Sequence, residues 1–233
     1  RQVWGMYVYR NWYNILIYVY AAGGQYVDAD HTKCLLDSPA AIAGMQYAFD
    51  LIDKRRIGPP SGGIASYEAE NTLAMAFSNA ARAQQLRQQD YGKQWDVGPV
   101  VQGDKAPTSF AFVHHAGVVA GAPNPEGAWI AATEYTGKDA NRFWMDGHGW
   151  PTVRKSYLDL WVKEGEPPPQ TPQNVVEWIK VSPLVTFPAG SSGTINPLAS
   201  TILNEAIDGQ RSVKDAASAM AREINAILQR TGT

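Results

Sequence analysis

Residues 117–157 (GVVAGAPNPEGAWIAATEYTGKDANRFWMDGHGWPTVRKSY) constrain the fold of this chain more than any other stretch. They read as the end of a strand, a turn, a capped helix, a second short helix and a Gly-rich turn closed by Trp150-Pro151. Asn124 offers a side-chain oxygen to the unpaired amides of a first helical turn, and Pro125 suits the first helical position, where no amide partner is needed. Glu126 sits where the helix dipole favours negative charge. Ala128, Trp129, Ala132 and Tyr135 then recur at helical spacing and predict a packing face.

The same punctuation recurs along the chain. Residues 1–9 read as a strand, with Val3, Met6 and Val8 as its apolar positions, and Arg10-Asn11-Trp12-Tyr13 interrupts it. A helix is predicted over 14–22, stopped by Gly23-Gly24. Ser38 caps a helix with Pro39 at its first position; Ile42, Met45, Phe49 and Ile52 share one face, and Lys54-Arg55-Arg56 complement the dipole at its end. Residues 67–77 read as a short helix running into a strand, and 95–101 and 110–120 as strands. Helices follow at 157–163 and after Thr171-Pro172, the latter with Val175, Val176 and Ile179 apolar. Residues 185–193 read as a Gly/Ser-rich loop. Asn196-Pro197 reads as an N-cap and first position of a helix that carries Leu198, Ile202, Leu203 and Ala206 and ends at Gly209. Ser212 opens the last helix, with Asp215 three residues on in a near capping box and Val213, Ala216, Met220, Ile224 and Ile227 as its face.

Composition excludes several function classes. The 233 residues are 18% charged with a formal net charge of -2, which gives no electrostatic case for nucleic acid or an anionic membrane. The most apolar run, residues 13–22, is about half the length of a membrane span. The single cysteine, Cys34, permits no intrachain disulfide and no cysteine metal cluster, and no reactive motif surrounds it. No Gly-x-Ser-x-Gly, Gly-x-x-x-x-Gly-Lys or His-Glu-x-x-His motif occurs, so no catalytic residue, metal ligand or cofactor is assigned and the chain is not read as an enzyme. Asp28, Asp30 and His31 cluster loosely, but a calcium loop needs more oxygen ligands at fixed spacing; a solvated turn is expected.

The motif series G-V-V-A-G-A-P-N-P-E-G-A-W followed by G-H-G-W-P-T-V-R-K-S resembles the family 1 extracellular solute-binding proteins of ABC importers, the group of maltose- and oligosaccharide-binding proteins. A-A-G-G-Q-Y-V-D, L-L-D-S-P-A-A-I-A-G and W-D-V-G-P-V-V extend the resemblance across nearly the whole chain. It covers only the later part of the family's sequence, so the chain is expected to be a fragment. The resemblance implies an α/β, two-lobed periplasmic-binding-protein-like fold, here the C-terminal lobe plus part of the N-terminal lobe. Residues 1–93 and 151–233 would form the C-terminal lobe, and 94–150 a segment of the other. It further implies capture of a small solute, a carbohydrate first, by lobe closure, and delivery to the transmembrane subunits of an ABC permease, from a periplasmic or cell-surface location and as a monomer.

The 8 Trp, 11 Tyr and 6 Phe supply a core and also faces on which sugar rings stack. Site candidates implied by position are Arg10, Trp12 and Tyr13 after the first strand, with hinge-side packing as the alternative for the aromatics. Asn79 and Arg82 lie where relatives carry a G-x-W platform that Ala80-Ala81 lacks; Arg82 on a solvated helix face is the competing reading. His114 and His115 are adjacent on a predicted strand, so they face opposite ways and only one can face the cleft. Trp150, and Phe187 with Ser191 and Ser192 in the loop before Pro197, complete the set. A phosphorylated or acidic solute, favoured by Arg10 or Arg82, is the alternative ligand. A sugar-processing enzyme would need a carboxylate pair that the sequence does not offer, and an adaptor would need an occluded cleft.

Overall fold

The contacts of the chain fall into two compact units in the computed structural model, which describes residues 2–60, 62–79, 82, 85–86, 95–111, 116–148, 154–164, 170–185 and 191–231. The first unit comprises Arg1–Phe77, Val100–Phe112 and Val181–Thr233; the second comprises Ser78–Pro99 and Val113–Lys180. These boundaries differ from 93/94 and 150/151. Residues 100–112 join the first unit because Lys105 N–H donates to the Ala21 carbonyl (3.0 Å) and Ala111 is paired with 183–185. Residues 171–178 join the second because their side chains hold 96–98.

The described helices are α1 (Trp12–Ala21), α2 (Pro39–Asp53), α3 (Ile64–Ala69), α4 (Pro125–Tyr135) and α5 (Lys138–His148). They continue with α6 (Lys155–Glu164), α7 (Gln173–Val181), α8 (Ser191–Ile207) and α9 (Val213–Thr231).

The first unit is built around α1. Asn11 caps it, its Oδ1 accepting from the Asn14 amide at 3.0 Å, so the helix begins two residues earlier than predicted. Gly23 ends it at φ +81°, a conformation that costs glycine little. The helix is apolar on almost every side, and Trp12, Ile15, Leu16, Ile17, Tyr18 and Val19 are all buried. Helix α2 is capped as expected: Ser38 Oγ accepts from the Ala41 amide, and Pro39 opens the first turn. Its face of Met45, Phe49 and Ile52 is buried, with Ile42 partly so. The two helices pack closely at Gly44, where an added Cβ would lie 2.4 Å from the Tyr18 carbonyl oxygen. Helices α8 and α9 close the same core with Leu203, Met220, Ile224 and Leu228. Ser212 and Asp215 cap α9 reciprocally, the Asp215 amide reaching Ser212 Oγ at 3.1 Å.

Two expectations about helix starts and strands are corrected. Helix α8 begins at Ser191, and Pro197 lies inside it rather than at its first position. Asn196 does not cap, because its Oδ1 accepts the indole N–H of Trp12 instead, at 3.0 Å. The predicted strands shrink to isolated bridges among the described residues. Trp4 pairs with Leu73 and Tyr7 with Ala76, both parallel, through Trp4 N–H to Thr72 O (2.8 Å) and Tyr7 N–H to Met75 O (2.9 Å). Ala111 pairs in parallel with Leu184. Residues 95–101 are not a strand. The Val97 carbonyl accepts from Thr171 Oγ1 (2.8 Å) and Asn174 Nδ2 (2.7 Å), and the Gly98 carbonyl from Trp178 Nε1 (3.0 Å), so side chains take the place of a neighbouring strand. Beyond Ala111, residues 112–115 of the predicted 110–120 strand lie outside the described residues, and 116–119 carry no strand.

In the second unit Asn124 caps α4 as predicted, accepting from the Gly127 amide at 2.9 Å. The predicted packing face is not buried: Trp129 is 65% exposed and Tyr135 52%. Helix α4 meets α5, and Tyr135 stands edge-on to Trp144 with ring centroids 5.5 Å apart. A small cluster of Met145 and Val175, with Val97, Leu160, Val162 and Val176 against it, is the apolar centre of this unit among the described residues.

Candidate functional site

The first extended segment positions the most suggestive group of side chains. Along an extended backbone alternate residues face opposite sides. Val8 is buried in the core and Met6 packs against it, so Tyr7 and Tyr9 point the other way. Their rings meet edge to face at 5.0 Å. Tyr67, delivered by α3, stands 6.3 Å from Tyr7. The Tyr7 hydroxyl donates to the Gly62 carbonyl at 2.9 Å, tying the backbone at Gly62 to the ring. Gly62 has φ +91°, a conformation that favours glycine, and a Cβ there would come within 2.9 Å of the Tyr67 hydroxyl.

All three tyrosines are half-buried, as is Arg10, which follows them directly. Burial pushes the Tyr7 hydroxyl pKa upward, neighbouring Tyr9 and Tyr67 add to that, and the Arg10 charge works against it. Arg10 is therefore within electrostatic reach of the ring cluster. Among the described residues it makes no hydrogen bond and no ion pair. The sequence reading picked Arg10 and passed over the tyrosines; the signal that could have found them is the i, i+2 spacing of Tyr7 and Tyr9.

The other candidates are dispersed. Trp12 is 2% exposed, with its ring 5.1 Å from Tyr26 and its indole N–H on Asn196. It also lines an apolar void of about 10 Å³ with Leu16, Met45, Leu203 and Met220, too small for any solute. Tyr13, next in α1, is 37% exposed. In the second unit Asn79 is exposed, and its carbonyl accepts from the Arg82 amide at 3.0 Å. Arg82 is half-buried and donates from Nη1 to Gln85 Oε1 at 2.7 Å. His114, His115, Trp150 and Phe187 lie outside the described residues, as do the side chains of Ser191 and Ser192, whose backbone opens α8.

Asp28 holds a tight turn: its carboxylate accepts from the amides of Thr32 (2.7 Å) and Lys33 (3.0 Å) and from Thr32 Oγ1 (2.8 Å). Cys34 is buried, its amide on Asn225 Oδ1 at 2.7 Å, and burial pushes the thiol up to about 12, far from the thiolate that reactivity needs.

With this geometry in view, the comparisons with known proteins give a consistent answer at the level of fold. No family model and no curated protein matches the sequence. Solved structures do match. An ABC substrate-binding protein from Listeria monocytogenes in complex with cycloalternan aligns with a TM-score of 0.78 at 17% identity. That alignment covers 97% of this chain and 59% of the other. The chain has part of the two-lobed α/β fold of the solute-binding proteins of ABC transporters. A solute-binding protein from Thermotoga lettingae bound with α-D-tagatose aligns at 0.69 and 21% identity, covering 97% of this chain and 60% of that one. The maltose/maltodextrin-binding domain MalE from Bdellovibrio bacteriovorus, bound to maltotriose, aligns at 0.71 and 14%, covering 98% and 61%. The chain thus spans about three-fifths of the length of the structures it matches. These neighbours are binding proteins. Among the described residues no helix is long and apolar enough to cross a membrane.

Proposed function

We propose that the chain belongs to the solute-binding component of an ABC importer and that its solute is a carbohydrate, captured by lobe closure without catalysis. The observation that carries this reading is the fold, shared over 97% of the chain with a protein in complex with cycloalternan and with proteins bound to tagatose and maltotriose. The half-buried ring cluster of Tyr7, Tyr9 and Tyr67 supports it, since sugar rings stack their C–H faces on aromatic faces and turn their hydroxyls to polar neighbours. In this reading the first unit carries the C-terminal lobe and the second belongs to the other. The permease is its macromolecular partner and the periplasm or cell surface its location. Arg10 and Tyr13 serve the site, and Trp12 acts as the packing beneath it.

A thermal-shift screen of the protein against cycloalternan, maltotriose, tagatose and a wider panel of neutral and acidic sugars tests the reading. A ligand present at 100 times its Kd stabilises the folded state by about 2.7 kcal/mol, so a shift of several degrees is expected for at least one sugar. A flat response across the panel, with amino acids or polyamines shifting the protein instead, would overturn it.

A further inference from the structure

We propose that residues 62–71 form a strap that opens away from the rest of the first unit, with Thr72 as its pivot and the Tyr7 hydroxyl as its latch, so that Tyr67 joins the ring cluster only while the latch is closed. Helix α3, which makes up most of the strap, buries none of its six residues. A helix of that length is not stable in water by itself, so it depends on what holds its ends.

The C-terminal end is fastened to the body of the unit. Asn71 takes the left-handed conformation at φ +51°, and the Thr72 amide donates back to the Tyr67 carbonyl at 2.9 Å, with Thr72 Oγ1 on the same oxygen at 3.2 Å. Thr72 is buried, and its carbonyl accepts from the Trp4 amide at 2.8 Å, which ties it to the first extended segment. The N-terminal end is held differently. Gly63 stands at the N-cap and has no side chain to accept from the first turn. The Tyr7 hydroxyl supplies an acceptor from outside the helix: it accepts from the Ile64 amide and donates to the Gly62 carbonyl at 2.9 Å. One oxygen therefore closes both sides of the Gly62-Gly63 joint, and two adjacent glycines make that joint easy to turn. Tyr7 is a firm post for the latch, with its own amide on the Met75 carbonyl at 2.9 Å and Val8 beside it in the core. The Tyr67 ring rests against Tyr7 at 6.3 Å and a 47° tilt, so undocking α3 withdraws one ring and bares the other. Segments that admit ligands are drawn from the least stable parts of a fold. A strap of this kind gates ring faces for any flat solute, so its opening does not depend on the carbohydrate reading.

Hydrogen exchange followed by mass spectrometry, on the protein and on Tyr7→Phe and Gly62→Ala, tests this. The amides of Ser66, Glu70 and Asn71 report on the strap, because they donate to Gly63, Ser66 and Glu68 within it; amides of α1 and α2 report on the core. Tyr7→Phe keeps the ring and removes the latch, and should speed exchange in the strap roughly fivefold or more while α1 and α2 exchange as before. Gly62→Ala strains the closed joint at φ +91° and crowds the Tyr67 hydroxyl at 2.9 Å, and should act in the same direction. Nitration of Tyr67 by tetranitromethane, read from peptide masses, should rise in step. Circular dichroism checks that each variant is folded. Strap amides without protection in the unaltered protein, or exchange unchanged in Tyr7→Phe, would overturn the proposal. So would exchange that quickens equally in α1 and α2, since α3 would then open only with the whole unit.

Discussion

The two units use similar helix-writing rules to different ends. In the first, nearly every apolar position of α1, α2, α8 and α9 is covered, and residues as large as Leu203, Met220 and Leu228 are fully buried. In the second, α4 is capped by Asn124 and α5 is strongly patterned, yet Trp129, Ile130 and Phe143 each remain more than 60% exposed. Contiguous exposed apolar side chains of this size are unusual on a folded surface. The contrast teaches that an amphipathic pattern specifies a face without specifying what covers it. Among the described residues the buried apolar side chains are concentrated in the first unit, and the second has a small apolar cluster and side chains that cap backbone carbonyls.

The sharpest way to break this contrast is to open the first core. Leu203→Ala removes a fully buried side chain beside the small void already lined by Trp12 and Met220, and should cost ~2–5 kcal/mol in urea unfolding followed by circular dichroism. Modification of Cys34 should speed up in parallel, because the buried thiol reacts only when this core opens. Next in size is Gly44→Ala. Its methyl group would meet the Tyr18 carbonyl oxygen at 2.4 Å and the Val19 Cα at 2.7 Å, so α1 and α2 must separate; ~1–3 kcal/mol is expected from the same measurement. A neutral effect would mean that the two helices are not packed as closely as described.

Smaller effects are expected in the second unit. Burial pushes the Asp96 carboxyl up, but hydrogen bonds from the Thr171 side chain and backbone and from the Val97 amide outweigh it, and the net shift is below the ordinary 3.8. A carboxylate depressed in the folded state contributes stability that is fully present above its unfolded value and is lost as pH falls through the folded one. Asp96→Asn should therefore flatten the acid limb of unfolding below about pH 4, read by the fluorescence of nearby Trp178, whose indole sits on Gly98. The effect is small because Asp96 is solvent-exposed. The least consequential change is Trp129→Ser. With 65% of the residue already exposed, it should alter stability by less than ~0.5 kcal/mol. A loss several times larger would show that this face is covered in solution and would erase the contrast between the units.

Particular residues show how far the sequence reaches. Caps and stops were legible because they are local: Ser38, Asn124 and Ser212 each accept from the amide three residues on, and Gly23 needs only its own positive φ. The periodic faces of α2 and α9 were legible for the same reason, since period and burial coincide there. Of the proposed site, the sequence offered Arg10 from its place after the first segment, whereas Tyr67 meets Tyr7 only because α3 brings it there.

What the sequence by itself determined is therefore the helices, their caps and the resemblance that points to the fold. Only the tertiary structure decided the rest. It set Asn196 to accept from Trp12, 184 residues away, rather than cap a helix at Pro197. It gave the carbonyls of 97–98 to Thr171, Asn174 and Trp178 rather than to a strand. It left Trp129 outside and put Trp12 inside. The physical reason is common to all of these. A backbone polar group or an apolar face must find a partner, and when several partners would serve, the choice lies with segments distant in sequence and close in space.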